Sequence, residues 1–184
     1  MICVSPLFAM IDLQVQTRFI LVHTSHNVNV GAAARAIKTM GFDELCLVGP
    51  RDPHVLSRSK TIQGASGALD ILENAKMYET VEAALQGFDY KCATGMPNSM
   101  GLERSEQTYN SPRHYFQELV SGSNFPVNIA FMFGSEKYGL KDHHISACDV
   151  VLGIPTNPQF GSLNLASAVQ LIAYDWREAL GGFR

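Results

Sequence analysis

Phe19-Ile-Leu-Val-His23, then Asn29-Val-Gly-Ala-Ala-Ala-Arg35-Ala-Ile-Lys-Thr-Met40, then Leu45-Cys-Leu-Val48 follow one another closely in the chain. The first run is short and apolar throughout, the pattern of a strand buried on both faces. The second is rich in alanine, and Gly41 stands where a helix C-cap is expected. The third is apolar again and is broken by Gly49-Pro50. Strand, helix and strand in that order make a βαβ unit and predict a parallel pair.

The same alternation continues outward. Ser59 to Asn74 and Thr80 to Gln86 read as helices, and Asp89 to Thr94 reads as a strand that ends in the turn Gly95-Met96-Pro97-Asn98. A polar loop follows to Ser111, Pro112 opens a helix to about Val120, and Val127 to Phe133 is the most apolar strand. Lys141 to Cys148 is expected to be helical, Val150 to Ile154 a strand, and Leu163 to Leu180 the closing helix. Apolar strands alternating with helices imply an α/β fold, a mostly parallel sheet with helices on both faces. On the closing helix Leu163, Ala166, Val169, Ile172, Ala173 and Trp176 recur at helical spacing, a stripe that reads as core or subunit contact.

With 184 residues, 46% of them hydrophobic and 17% charged, the chain can bury one substantial core and shows no mark of disorder. One domain is expected over residues 18–184, preceded by an N-terminal extension, residues 1–17, with Met10 as the expected start. The apolar stretch Met1 to Leu13 has no basic opening, contains Pro6 and is too short to span a bilayer, so no membrane anchor is expected. Cys3, Cys46, Cys92 and Cys148 are dispersed, with no CxxC pair, and read as small apolar residues. His143 and His144 are adjacent and diverge on a helix, so no metal site is expected. Reduced thiols without a secretory signal point to the cytoplasm.

A net charge of -3 excludes a strongly basic nucleic-acid binder, so any RNA site must be a local patch. Arg18, Arg35, Lys38, Arg51, Arg58 and Lys60 are the candidates for it, and ordinary solvated charge fits them equally well.

Three segments place polar residues among glycines and apolar residues at strand ends, where open α/β sheets bind ligands. In Asn29 to Arg35, Asn29 sits at a helix start and could cap it. Arg35 lies among alanines that would let a nucleotide approach its guanidinium. In Phe133-Gly-Ser-Glu-Lys-Tyr-Gly-Leu140, Gly134 and Gly139 flank Glu136 and would permit unusual backbone angles and close approach of a ligand. In Ile154-Pro-Thr-Asn-Pro-Gln-Phe-Gly-Ser-Leu-Asn-Leu165, either Ser162 or Asn164 could cap the last helix, while two prolines stiffen an exposed loop. Neither a GxGxxG turn, a Walker lysine loop nor a GxSxG elbow occurs, which removes most support from NAD-type, P-loop and Ser-His-Asp hydrolase readings.

Taken in order, Thr24-Ser-His26 with Asn29 to Arg35, Phe133 to Leu140, and Ile154 to Leu165 resemble the three motifs of SpoU-type RNA 2'-O-ribose methyltransferases of the SPOUT superfamily. The resemblance runs from about Arg18 to Arg177. His23 to His26, Ala36 to Gly41 and the Ile154 to Leu165 string are most similar to the TrmJ-type tRNA methyltransferases. That resemblance implies a catalytic set of Arg35, Asn29, Glu136, Ser162 and Asn164. It places S-adenosyl-L-methionine against Gly95, Met96, Pro97, Gly134, Ile154, Gly161, Ser162 and Leu163.

It also implies a C-terminal trefoil knot, a homodimer whose partner helps complete the site, and tRNA as substrate, methylated on the ribose of cytidine or uridine 32 in the anticodon loop. An rRNA methyltransferase, a catalytically silent RNA-binding domain and a small-molecule enzyme of the same fold are the alternatives. Two departures from the TrmJ-type pattern stand out. Thr94-Gly-Met-Pro-Asn98 replaces the usual Gly-Thr run with its arginine, and the sequence ends at Arg184 without the helical extension such proteins carry.

Overall fold

The computed structural model describes residues 15–95, 108–109, 111–125 and 127–183. Among these, β1 (Thr17–Val22), β2 (Glu44–Val48), β3 (Lys76–Tyr78), β4 (Tyr90–Gly95), β5 (Thr108–Tyr109), β6 (Ile129–Phe133) and β7 (Val150–Gly153) form one sheet in the order β3-β2-β1-β6-β4-β7-β5. Every strand pairing is parallel. The helices are α1 (Asn27–Thr39), α2 (Ser59–Ala65), α3 (Leu69–Glu73), α4 (Val81–Leu85), α5 (Pro112–Ser121), α6 (Asp142–Ser146) and α7 (Leu165–Ala179), with a 3-10 turn at Val55–Ser57.

The apolar strands are buried on both faces, as their composition implies. Phe19 and Leu21 of β1 face a core shared with α1, α5 and α7, whereas Ile20 and Val22 face a second core closed by α4 and α6. Phe116, Phe131 and Trp176 meet edge to face in the first core, with ring centroids 5.3–6.1 Å apart. The Trp176 indole donates to the Thr17 hydroxyl at 2.9 Å, so burying the ring strands no polar atom. The stripe on the closing helix is core from Ala166 onward, with Val169, Ile172, Ala173 and Trp176 fully buried, but Leu163 precedes the helix, which opens at Leu165, and is exposed. Arg177, one residue on, donates to Met40 O and Gly41 O and so satisfies carbonyls at the C-terminus of α1.

Four expectations need correction. The helix expected over Ser59 to Asn74 is two helices, because Ser66 adopts φ +53° and Gly67 follows it, which ends α2 at Ala65. Two edge strands, β3 and β5, were hidden in stretches that read as loop. β3 is three residues long and mostly exposed, so it has no buried face to leave a pattern. Asn29 does not cap α1: the helix opens at Asn27 with His26 at the N-cap, which places Asn29 inside the first turn. The 17/18 boundary sits within β1, since Thr17 opens the strand and Gln16 O accepts from Ile129 N at 2.9 Å. Met96, Pro97 and residues 1–14 lie outside the described residues.

The chain lays down β1, β2 and β3 outward in one direction and then crosses to the other side of β1 for β4, β6 and β7. Because all strands run the same way, the loops after β1, β4, β6 and β7 meet at one end of the sheet, on either side of this reversal. Open parallel sheets bind ligands at such a place.

Candidate active site

Glu136 stands in the tight loop after β6, closed by paired backbone hydrogen bonds between Ser135 and Gly139. Its carboxylate reaches across to the segment between β1 and α1. There it accepts from Ser25 N and Ser25 Oγ, both at 2.8 Å, from His26 N and Thr24 Oγ1, both at 3.2 Å, and from Asn29 Nδ2 at 2.9 Å. These donors explain why α1 lacks a side-chain cap of its own: a carboxylate from another loop serves its N-terminus, where negative charge is favoured. Burial alone would raise the Glu136 carboxyl, but the hydrogen bonds from Asn29 and Ser25 outweigh it and hold the group at about 2, below its ordinary 4.5.

The network extends one residue further. Asn29 Oδ1 accepts from Asn164 Nδ2 at 2.9 Å, and Asn164 Oδ1 accepts from Ala166 N at 2.9 Å. Asn164 thus caps α7 and ties that helix to α1 and to Glu136 with its other end. Three segments distant in sequence, after β1, after β6 and before α7, are joined in one chain of hydrogen bonds.

Beside this chain lies a cavity of about 380 Å³ between the ends of β4, β6 and β7. Of the expected cofactor residues, Gly95, Gly134, Ile154, Ser162 and Leu163 line it, and Gly161 does not. Of the expected catalytic set, Glu136 and Ser162 border it, whereas Arg35, Asn29 and Asn164 do not. Reading the sequence missed Thr94, Ser135, Asp142 and Leu165 on its walls, and Thr24 and Ser25 as partners of Glu136. A polar triplet directly after an apolar strand was the available signal for the last two. Gly134 also has a packing role: a Cβ there would lie 2.0 Å from Gly139 C and 2.2 Å from Leu140 N, so the glycine lets the Glu136 loop close on itself.

Arg35 is exposed, does not border the cavity and makes no side-chain hydrogen bond or ion pair with another described residue. It lies six residues beyond Asn29, about 9 Å along the helix axis and on another face. Glu136 therefore does not hold Arg35; its partners are Thr24, Ser25, His26 and Asn29. No three His, Cys, Asp or Glu among the described residues are grouped to hold a metal.

Residues 16–174 match the profile of the SpoU rRNA Methylase family. The chain belongs to that family. A Haemophilus influenzae protein named an uncharacterized tRNA/rRNA methyltransferase is 36% identical over 162 residues, covering 88% of this chain and 63% of its own length. The Pseudomonas aeruginosa tRNA (cytidine/uridine/adenosine-2'-O-)-methyltransferase TrmJ is 38% identical over 163 residues, covering 88% of this chain and 60% of its own. The SpoU-family chain thus spans about six tenths of the length of these curated relatives. Among solved structures, a probable methyltransferase from Bordetella pertussis superposes with a TM-score of 0.81 at 37% identity, covering 94% of this chain and 98% of that one.

Proposed function

We propose that this chain is an S-adenosyl-L-methionine-dependent tRNA methyltransferase acting on a ribose 2'-hydroxyl in the anticodon loop, with position 32 as the target. The observation that carries the reading is the union of Asn29, Glu136 and Asn164 in one hydrogen-bonded chain against a cavity bordered by Gly95, Gly134, Ile154, Ser162 and Leu163. The TrmJ name of relatives at this level of identity supports tRNA over rRNA.

The cavity fits a nucleoside cofactor. Its volume falls in the range of small-molecule sites, Ile154, Leu163 and Leu165 offer apolar walls to a purine, and Ser135, Asp142 and Ser162 offer polar groups to a sugar or amino-acid end. Bound there, the cofactor supplies an electrophilic methyl on a sulfonium. The chain's own task is to align the ribose oxygen and to assist loss of its proton. Glu136 does not take that proton: held at about 2 and engaged by five donors, it keeps the loops after β1 and β6 in register. Ser162 and Asn164 orient the ribose. Arg35, permanently protonated, stabilises the developing alkoxide or anchors the neighbouring phosphate.

Arg35 is outside the cavity of its own subunit, and this supports a homodimer in which a second copy brings it to the site. Leu171 and Tyr174 of α7 and Phe160 of the preceding loop offer exposed apolar surface for the contact. The reading includes the C-terminal trefoil knot and activity in the cytoplasm, and among the described residues no helix is long and apolar enough to cross a membrane.

Transfer of labelled methyl from the cofactor to bulk tRNA, but not to rRNA, is the expected result. Mapping of ribose methylation in tRNA from a deletion strain and its complemented counterpart should then show the loss at position 32. An intact anticodon loop with a missing rRNA methyl would overturn the tRNA assignment. Light scattering that finds only monomer at micromolar concentration would overturn the dimer.

A further inference from the structure

The sequence offers six cations in its first third as an RNA patch, and the structure divides them. Arg18 is buried, bonded to Glu44 and Ala84 O and stacked over Phe88. Lys38 is paired with Asp70 at 2.7 Å. Neither is available to a phosphate. Arg51 and Lys60 are exposed, and neither side chain has a hydrogen bond or ion pair to another described residue. Between them Arg58 is held by Asp52 through two hydrogen bonds, at 2.6 and 3.1 Å, and His54 is also exposed. From Arg51 to Ala68 the chain has three Lys or Arg residues and a single acid, Asp52, against a net charge of -3 for the whole.

This strip is fixed to the active-site loop at several points. Arg51 N donates to Thr24 O at 3.0 Å, Asn27 Nδ2 donates to Asp52 at 3.2 Å, and Thr61 Oγ1 donates to Asn27 O at 3.1 Å. Thr24 and Asn27 bracket the Ser25 and His26 amides that hold Glu136. The cations are therefore carried at a set position from the catalytic chain, with Asp52 keeping the Arg58 fork in place.

Resting on the activity proposed above, we infer that the segment from Arg51 to Lys60 is the RNA-docking strip, with Arg51 and Lys60 contacting backbone phosphates that flank the target ribose. A polyanion suits unneutralised cations on a chain that is acidic overall, and such contacts set register without reading sequence. Specificity for the base lies elsewhere, and the strip supplies affinity and position.

The test is tRNA binding by the full chain at several salt concentrations, comparing wild type, Arg51→Glu, Lys60→Glu, the double variant and Lys76→Glu. Lys76 is an exposed lysine beside Glu44 at the opposite end of the sheet, so it controls for net charge. The double variant is expected to bind tRNA about tenfold more weakly or worse, and its slope of log affinity against log salt should fall by about 1.5, two contacts' worth. Its cofactor affinity by calorimetry and its melting temperature should stay at wild-type values. An unchanged slope in the double variant, an equal loss in Lys76→Glu, or wild type that shows no salt-dependent tRNA binding overturns the strip. Wild type that binds tRNA through these residues yet transfers no methyl overturns the proposed activity and leaves the strip standing.

Discussion

Two adjoining regions at the same end of the sheet are built on opposite terms. Around Glu136 both carboxylate oxygens are engaged by backbone and side-chain donors from Thr24, Ser25, His26 and Asn29. Around the same cavity, Ser162 and Asp142 make no side-chain hydrogen bonds to other described residues, and Tyr138 and Leu163 remain exposed. The first region is complete without a ligand and acts as scaffold; the second keeps its polar and apolar groups available to one. The residues that a motif groups together as one active site thus divide physically into those that hold the shape and those that face the open cavity.

Removing the carboxylate should break this contrast most severely. Glu136→Ala removes the charged acceptor shared by Ser25 N, His26 N and the Asn29 amide; Asn29 is buried while Ser25 is half-buried and His26 exposed, so water replaces part of the loss and the cost should be roughly 2–3 kcal/mol. The expected outcome is a fall in melting temperature along with loss of methyl transfer and weakened cofactor binding, read by thermal unfolding, activity and calorimetry. A variant that melts like wild type would show the network to be incidental to the fold.

The same carboxylate gives the contrast a pH signature. A folded-state value of about 2 lies below the ordinary 4.5, so its contribution is fully present above the unfolded value and is lost as pH falls from about 4.5 towards 2. The contribution should be about 2 kcal/mol, reduced from the full shift because the group retains a solvent-facing side. Urea unfolding across that range should show the acid-side slope in wild type and a flatter one in Glu136→Gln. Identical slopes would place the acid sensitivity in other carboxylates.

Two glycines of the Glu136 loop sharpen the comparison further. Gly134→Ala drives a Cβ into the Gly139 and Leu140 backbone and must open the loop, at a cost of roughly 2 kcal/mol and with loss of cofactor affinity. Gly139→Ala meets nothing within 4 Å and is strained only by its φ of +65°, about 1 kcal/mol. Equal effects on unfolding would mean that backbone conformation rather than close packing dictates the loop.

The fold was legible wherever burial left a pattern. β1, β2, β6 and β7 announce themselves as apolar runs because both faces are covered, whereas β3, short and exposed, carries no such mark. The free thiols Cys46, Cys92 and Cys148 are buried, as their dispersal implied, and burial pushes Cys46 up to about 11 and Cys148 up to about 12. The site was legible as a set of motifs but not as a division of labour. Asn29 at a helix start looks like a cap, and only the position of Glu136, more than a hundred residues on, shows that its amide points to another loop. Likewise, nothing in the sequence separates Arg18, buried against Glu44, from Arg51, which is open to solvent.

The smallest expected effect on stability is the most discriminating, because Asn164 joins the Glu136 network while its chain neighbours Leu163 and Leu165 line the cavity. Its Oδ1 caps α7 through Ala166 N, while its Nδ2 reaches Asn29, the residue that in turn holds Glu136. Asn164→Ser retains a hydroxyl able to accept from the helix N-terminus and loses the donor to Asn29, so the helix keeps its cap and the cost should stay within about 1 kcal/mol. Asn29 Oδ1 then loses its partner, and ribose positioning suffers although the scaffold stands. The expected result is a near-normal melting temperature and cofactor affinity, with kcat for methyl transfer lowered at least about tenfold, a little over 1 kcal/mol of lost transition-state alignment. Asn164→Asp supplies the complementary case: it caps α7 at least as well, but brings a second carboxylate towards Asn29 without an amide to donate. If Ser and Asp variants both transfer methyl at the wild-type rate, Asn164 serves the helix alone, and the line between scaffold and substrate-facing residues must be drawn at Ser162.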